Sequence, residues 1–309
     1  MKICVQDARM HLTYGYKKTY EAIRAAGFEA IDWNIDTELR GNLIKTGTYE
    51  GNTVFEKSVD EIYDYYKEEL DAIRDAGLTI SQAHAPFPFY TYECVKADST
   101  DFMISVYKKI ILLLDRVGCK NLIIHGVSLE KKDRINTPDD IRALNKKLYT
   151  SLIPELQQTN VTVCLENLPT GMFPTSPGHC SNPYEAAAEI DELNALAGKE
   201  CFGLCVDMGH LNLVGLEPRT YFPIVGKRIK ALHIHDNDGL SDQHKAPYTG
   251  KINWVDFYTQ LKAIGYEGDL SFETFMQTDA KVIEPELLLP WLTVIAQIGE
   301  FFRKKILGE

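Results

Sequence analysis

Eight times along this chain, a short run of apolar residues is followed by a longer stretch with helical periodicity. The first such runs are Lys2–Val5 and Ala30–Trp33, and the last is Asp269–Glu273. Strands that alternate with helices pair in parallel through right-handed crossovers. Eight such units in 309 residues favour a closed (β/α)8 TIM barrel over an open, doubly wound sheet.

The other predicted elements continue the same alternation. The remaining strands are Leu78–Ala83, Asn121–His125, Val161–Glu166, Phe202–Asp207 and Ile229–His235, and the helices are Thr19–Ala26, Lys57–Ala76, Thr100–Val117, Thr137–Gln158, Asn182–Leu196, Arg219–Val225, Trp254–Ile264 and Glu284–Phe302. No linker or shift of composition divides the chain, so we predict one barrel domain over residues 1–309. The polar stretch 34–56 is predicted to be a long loop, of the kind that forms a lid or holds small elements.

Composition narrows the classes of partner. The chain has 33 Lys and Arg against 44 Asp and Glu, a formal net charge of -11, which argues against a nucleic-acid partner. It contains no apolar run of the roughly 18 residues that a membrane span needs. Its seven cysteines are scattered and odd in number, as is typical of a protein of the reducing cytoplasm. We therefore expect a cytoplasmic protein that acts on a small molecule.

Predicted strands three to eight each end in, or just before, residues that can bind a metal. Active sites of TIM barrels lie at the carboxyl ends of the strands. Several carboxylates at one barrel mouth would repel one another and need a compensating cation. Carboxylates mixed with imidazoles fit Mn²⁺, Co²⁺ or Zn²⁺, and also Mg²⁺, although Mg²⁺ prefers oxygen ligands alone. The candidates are His84, His125, Glu166, Asp207, His210, His233, His235, Asp242, His244 and Glu273.

Four of these candidates, Glu166, Asp207, His235 and Glu273, end adjacent strands and are predicted to bind one divalent ion. His233 and His235 are two residues apart, so they lie on the same side of their strand. His235 is nearer the predicted mouth and is therefore predicted to be the ligand. His233 is interpreted as a deeper residue that supports the site or packs in the core.

Six short motifs give the chain a family resemblance. They are HAP at 84–86, LEN at 165–167, CVDMGH at 205–210, HIHDND at 233–238, DQH at 242–244 and ET at 273–274. With these motifs, the chain resembles the xylose isomerase-like barrel superfamily, which holds sugar isomerases, ketose 3-epimerases and endonuclease IV. The resemblance extends from the third strand to the eighth.

In the ketose 3-epimerase branch, the resemblance implies that Glu166, Asp207, His235 and Glu273 bind one metal ion. It also implies that Glu166 and Glu273 are catalytic and move a proton on opposite faces of the sugar, while His210 contacts substrate oxygens. A metal bound to a carbonyl and its neighbouring hydroxyl stabilises the cis-enediolate that forms when a C–H proton leaves. The expected function is thus isomerisation or epimerisation of a carbohydrate, with a dimer or tetramer as the assembly common in this branch.

Two alternatives stay open. In the endonuclease IV branch, the resemblance implies two or three zinc ions with additional ligands at His84, His125, His210, Asp242 and His244. The acidic net charge and the absence of that branch's second histidine after His125 count against it. A keto-inositol dehydratase would need the same metal and base as an epimerase.

Overall fold

The computed structural model describes residues 1–7, 9–35, 38–39, 41–89, 99–127, 137–169, 177–279, 281 and 283–309. Eight parallel strands pair in the order β7-β6-β5-β4-β3-β2-β1-β8. A hydrogen bond from Ile234 N to Ser271 O, 2.8 Å long, joins the ends of this sheet. The predicted (β/α)8 TIM barrel is confirmed. The strands are β1 (Ile3–Gln6), β2 (Ala30–Asn34), β3 (Thr79–His84), β4 (Asn121–Ile124), β5 (Thr162–Glu166), β6 (Phe202–Asp207), β7 (Ile229–His233) and β8 (Leu270–Phe272).

Thirteen α-helices occupy the described part of the chain. Several begin at the residues expected to cap them: Ser58 accepts a hydrogen bond from Glu61 N, and Asn182 accepts one from Tyr184 N. The helices are α1 (Met10–Tyr14), α2 (Tyr16–Ala26), α3 (Gly41–Thr46), α4 (Val59–Asp75), α5 (Ser99–Val117), α6 (Pro138–Ser151), α7 (Ile153–Gln158), α8 (Pro183–Ala197), α9 (Met208–Leu213), α10 (Pro218–Val225), α11 (Trp254–Ile264), α12 (Phe275–Thr278) and α13 (Pro285–Leu307).

One predicted helix is divided in the structure. The single helix predicted over Thr137–Gln158 is two helices, α6 and α7, that meet at Leu152. Pro154 explains the break, because it lacks the N–H that would bond to residue 150 and its ring crowds that carbonyl. The stretch 34–56 includes α3 and a 3-10 turn at Val54–Glu56, as expected for a long loop that carries small elements.

The barrel packs its helices against an apolar outer surface of the strands. A separate apolar cluster fills part of the barrel interior, and it is made of Ile123, Cys164, Cys205 and Ala231. Within the described ranges, no helix is both long and apolar enough to cross a membrane. The site described next begins directly above the interior cluster.

Candidate metal and acid–base site

A polar layer lies two residues beyond the apolar cluster on three neighbouring strands. Cys164, Cys205 and Ala231 belong to the cluster, and Glu166, Asp207 and His233 follow them at the strand ends. Because side chains alternate with a period of two, each polar residue points to the same side of its strand as the apolar residue before it. Asp207 and His233 are also direct partners in the β6–β7 ladder. The ladder register therefore sets Asp207 and His233 at one depth, whereas Glu166 is paired with Cys205.

His233 lies at the centre of this layer and is fully buried. Its Nδ1 is 3.4 Å from Glu166 Oε1 and 3.8 Å from Asp207 Oδ2. Its Nε2 is 3.4 Å from Glu273 Oε1 and 3.3 Å from Asp32 Oδ2. The two glutamates therefore face opposite edges of one imidazole. Burial opposes protonation of His233, but the surrounding acidic groups, Glu273 and Glu166 among them, raise its pKa well above the usual value.

His235 lies one layer nearer the mouth than His233. Its Nε2 is 3.0 Å from Asp207 Oδ2, and one of its ring nitrogens lies within 4.8 Å of donor atoms of Glu273 and His244. Its ring stacks on His244 with centroids 4.0 Å apart. An imidazole binds an ion through one nitrogen, and the two nitrogens of His233 face different glutamates, so His235 is the imidazole that could share one ion with the carboxylates.

Glu166 has the more strongly basic surroundings of the two glutamates. His125 Nε2 lies 2.9 Å from its Oε2, and His210 Nδ1 lies 3.2 Å from its Oε1. Burial disfavours the carboxylate, but the nearby imidazoles, led by His125 and His233, outweigh burial and hold the pKa of Glu166 well below its usual range. Glu166 is thus ionised at neutral pH.

Glu273 has the opposite electrostatic character. Burial raises its pKa to about 7, with His233 opposing the shift and Asp32 adding to it. Gln6 Nε2 donates a 2.6 Å hydrogen bond to Glu273 Oε1 and fixes its orientation. Two buried carboxylates in one site with divergent pKa values are the arrangement that divides acid and base roles. A cation bound between them would lower both values, since it favours the ionised forms.

Asp207 is held by the backbone around it. Asn167 Oδ1 accepts a hydrogen bond from Asp207 N at 2.8 Å, and Asn167 Nδ2 donates to Asp207 O at 3.0 Å. Asp207 Oδ1 caps α9 by accepting from His210 N at 2.7 Å. Burial disfavours its charge, but His210 and His235 lower its pKa below the usual value. Asp207 is therefore a fixed anionic donor.

The additional predicted ligands form two groups around the central four residues, which are Glu166, Asp207, His235 and Glu273. His84 and His125 meet Glu166 on one side, with 3.1 Å between their Nε2 atoms. On the other side, Asp242 Oδ2 lies 3.4 Å from His210 Nε2 and 3.1 Å from His244 Nε2. All the predicted site residues thus converge at one mouth.

Several buried donor atoms of this site have no hydrogen bond of normal geometry. They are Glu166 Oε2, Asp32 Oδ1, His235 Nδ1 and both ring nitrogens of His233. Buried polar atoms are rarely left in this state, because each one costs free energy without a partner. Carboxylates and imidazoles whose inward atoms lack partners fit a divalent transition metal. Glu166, Asp207, His235 and Glu273 are the residues that could hold it.

Sequence reasoning missed three residues of the site. Asp32 is 1% exposed in the middle of β2, and its Oδ2 accepts hydrogen bonds from Gln82 and Ser271. Gln6 ends β1 and contacts Glu273, while Phe275 stacks on His244 with centroids 4.5 Å apart. A charged residue inside the apolar run AIDWN was the one available signal, since a buried carboxylate needs partners.

Comparison with known proteins places the chain in one family. Residues 20–304 match the profile of the xylose isomerase-like TIM barrel. An uncharacterized protein of Methanocaldococcus jannaschii is 28% identical over 165 residues, which is 52% of this chain and 52% of that protein. An uncharacterized protein of Sinorhizobium fredii is 23% identical over 85% of this chain and 82% of its own length. The chain therefore spans about half the length of the first relative and most of the second.

Solved structures share the fold at low sequence identity. A D-tagatose 3-epimerase-like protein superimposes with a TM-score of 0.63 at 19% identity, over 96% of this chain and 99% of its own. The IolI protein with a bound zinc atom superimposes with a TM-score of 0.68 at 16% identity, over 100% of this chain and 98% of its own. The 3-keto-D-glucoside 4-epimerase YcjR of E. coli gives 0.66 at 16% identity, over 96% and 99%.

Proposed function

Because the chain belongs to the xylose isomerase-like TIM barrel family, we propose that it is a divalent-metal-dependent sugar isomerase or epimerase. Two of the similar structures are described as an epimerase or epimerase-like, and a third is described with bound zinc. The observation that carries the proposal is the position of Glu166 and Glu273 on opposite edges of the buried His233 ring. A carbohydrate substrate is the partner that such a site would take.

In this proposal, Glu166, Asp207, His235 and Glu273 hold the ion, the four residues predicted from sequence. His233 is the fully buried imidazole between the two glutamates and balances their charge. Manganese, cobalt, zinc and magnesium are all compatible with the donors, with the nitrogen ligand favouring the first three. When bound, the ion supplies Lewis-acid polarisation of a carbonyl and its neighbouring hydroxyl, which acidifies the C–H bond between them.

Glu166 and Glu273 act on the proton in opposite senses. Glu166 is ionised, so it accepts the proton from the carbon beside the carbonyl. Glu273, which Gln6 holds in place, delivers a proton to the other face. A proton returned to the opposite face of the same carbon inverts it, whereas a proton returned to the neighbouring carbon exchanges aldose and ketose.

His210 orients the substrate in this scheme. Burial opposes its charge, but Asp207, Asp242 and Glu166 raise its pKa well above the usual value. Its Nδ1 lies 3.0 Å from Asn167 O, which leaves Nε2 at the mouth beside Asp242. A cationic imidazole held in this way donates to hydroxyl or enolate oxygens.

Solvent deuterium exchange tests the proposal. The metal-loaded protein is incubated in D2O with ketohexoses, ketopentoses and keto-inositols, and proton NMR follows the C–H signal next to each carbonyl. We expect loss of that signal for at least one substrate, and none after chelation. A metal-loaded protein that exchanges no substrate of the panel would contradict the proposal.

A second candidate function is phosphodiester cleavage by a site with several zinc ions. It is favoured by the His84, His125 and Glu166 donors, which lie within 4.8 Å of one another beside the central four. Their separations of 3.1 Å, 2.9 Å and 3.5 Å approach the edge of about 3.3 Å expected for a tetrahedral zinc site. Cleavage of DNA at an abasic site by the zinc-loaded protein would establish this function.

A further inference from the structure

A second cluster of metal-binding side chains lies outside the barrel mouth, where β5 is followed by α8. His179, Cys180 and Glu189 each offer one donor atom, and these atoms lie within 4.8 Å of one another. His179 Nε2 is 3.0 Å from Glu189 Oε2, and Cys180 Sγ is 3.6 Å from His179 Nδ1 and 3.7 Å from its Nε2. The cluster lines a cavity of about 610 Å³ between α6 and α8.

The backbone holds this cluster in a fixed position. Leu168 N donates to His179 O at 2.9 Å, and Gly178 N donates to Leu168 O at 2.8 Å. Ser181 Oγ donates to the same Leu168 oxygen at 2.6 Å. Because Leu168 lies two residues beyond Glu166, the turn at 178–181 is fastened to the end of β5. Tyr221 Oη also donates to Cys180 O.

Two features show that the fold makes room for these side chains. Cys180 has a φ of 57°, a left-handed conformation that costs free energy in a residue other than glycine. A Cβ at Gly126 would lie 2.2 Å from His179 Nδ1, so only glycine leaves space for that ring. The Nδ1 edge therefore backs onto Gly126, and Nε2 is the nitrogen that faces Glu189.

The donor set matches zinc in chemistry and in dimensions. With Zn–S of about 2.3 Å and Zn–N of about 2.0 Å, a tetrahedral site has S–N edges of about 3.6 Å and N–O edges of about 3.3 Å. The observed N–O distance of 3.0 Å is close to this edge, and the thiol, which is 3.6 Å from Nδ1 and 3.7 Å from Nε2, would rotate toward the Nε2 side to bind the same ion. Thiolate, imidazole and carboxylate are all zinc ligands, and the thiolate disfavours Mg²⁺ and Ca²⁺.

We propose that His179, Cys180 and Glu189 form a zinc site separate from the barrel mouth, with a fourth ligand supplied from the cavity. The side chain of His179 is 6% exposed and that of Glu189 is 29% exposed, so an ion can enter from the cavity. Three protein ligands with one open position are typical of zinc sites that bind a further small molecule. The alternative is a His–Glu hydrogen bond beside a neutral thiol, without an ion.

Cobalt substitution tests this site independently of activity. The chelated full-length protein is titrated with Co²⁺, and the near-ultraviolet band that marks a cobalt–thiolate bond is recorded. We expect the band in the wild type, in Asp207→Asn and in Cys205→Ser, and its loss in Cys180→Ser. Cys205 is the matched control because it is fully buried beside the mouth.

Glu189→Gln keeps the thiol and changes only a partly exposed side chain. It is therefore the second test of the site if Cys180→Ser fails to fold. It should weaken Co²⁺ binding at this site at least tenfold, as judged by the midpoint of the titration. A wild type without the band, a band that survives Cys180→Ser, or an unchanged midpoint in Glu189→Gln would overturn the zinc site. Asp207→Asn removes a ligand of the barrel mouth but is expected to retain the band. A failure of the proposed zinc site is therefore distinguishable from a failure of the function proposed for the barrel mouth.

Discussion

His233 Nδ1 lies 3.4 Å from Glu166 Oε1, and both groups are sealed from solvent. Burial of a carboxylate beside an imidazole is favourable only if charge balances charge or a cation joins them. Three further carboxylates, Asp32, Asp207 and Glu273, lie within 4 Å of the same ring. The ring is therefore the centre of the acidic layer.

The two glutamates should both be needed for proton transfer. Glu166→Gln removes the base and Glu273→Gln removes the opposing acid, while each amide keeps the shape of the side chain. We expect each variant to lower the rate of substrate turnover by about 10² to 10⁴-fold. Glu192→Gln, on the exposed face of α8, is the matched control and should retain the wild-type rate.

The two histidines of HIHDND should differ in their effect on metal binding. His235→Ala removes a proposed ligand and should weaken Mn²⁺ binding, measured by calorimetry, by more than about 100-fold. His233→Ala removes a supporting imidazole that faces Glu166, Asp207 and Glu273, so we expect a loss of about tenfold, as for other supporting residues. The opposite order would give the ligand role to His233.

Glu69 should make stability depend on pH. It is 4% exposed on α4, and burial together with Asp7 raises its pKa to about 7, while Tyr20 Oη donates to it at 2.5 Å. Since the folded pKa exceeds the unfolded one, the folded state binds more protons between pH 4.5 and 7. The stabilisation is complete below the unfolded pKa and is lost as pH rises through 7.

Glu69→Gln has an uncharged side chain at every pH. It should therefore remove the loss of stability that accompanies ionisation of Glu69. Urea unfolding at pH 5 and pH 8, with chelator present, compares the variant with the wild type. From pH 5 to pH 8, we expect the free energy of unfolding of the wild type to fall by about 3 kcal/mol more than that of Glu69→Gln. Equal pH slopes for the two proteins would refute the role of Glu69.

Asp236 should stabilise the loop that carries Asp242 and His244. Its Oδ1 accepts from Asn237 N at 2.9 Å and from Ile252 N at 3.1 Å, and its Oδ2 accepts from Trp254 Nε1 at 3.0 Å. Because Asp236→Ala leaves three donors without an acceptor, we expect it to lower the free energy of unfolding by about 3 kcal/mol.

Asp238→Ala is the control for Asp236→Ala. Asp238 Oδ1 also accepts two backbone hydrogen bonds, from Leu240 N and Ser241 N, but these lie at the surface. Water can replace the lost acceptor there, so the change should cost less than about 1 kcal/mol. Similar costs for the two variants in urea unfolding would mean that the burial of Asp236 contributes little.

The barrel and the set of converging residues could be predicted because both depend on local pattern. Apolar runs such as Phe202–Asp207 and a polar residue at each strand end are visible in the sequence. The depth of each side chain is not visible, because it depends on where a strand ends and on its register with neighbours. The alternation put His233 and His235 on one side, but only the structure shows that Asp207 pairs with His233 and that Glu166 pairs with Cys205.

Contacts between distant strands were also beyond prediction. Gln6 and Glu273 are 267 residues apart, and no spacing rule joins β1 to β8 before the barrel is closed. Pro154, by contrast, carried a usable signal: a proline near the C-terminal end of a predicted helix marks a break. Asp32 carried a weaker one, as a single charge within an apolar strand.

Anomalous diffraction from crystals of the Mn²⁺-loaded protein tests most directly whether an ion lies between Glu166 and Glu273. The expected result is a manganese peak within bonding distance of Glu166, Asp207, His235 and Glu273. A mouth without a peak, or a peak bound by His84 and His125 but not by Asp207 and Glu273, would contradict the account.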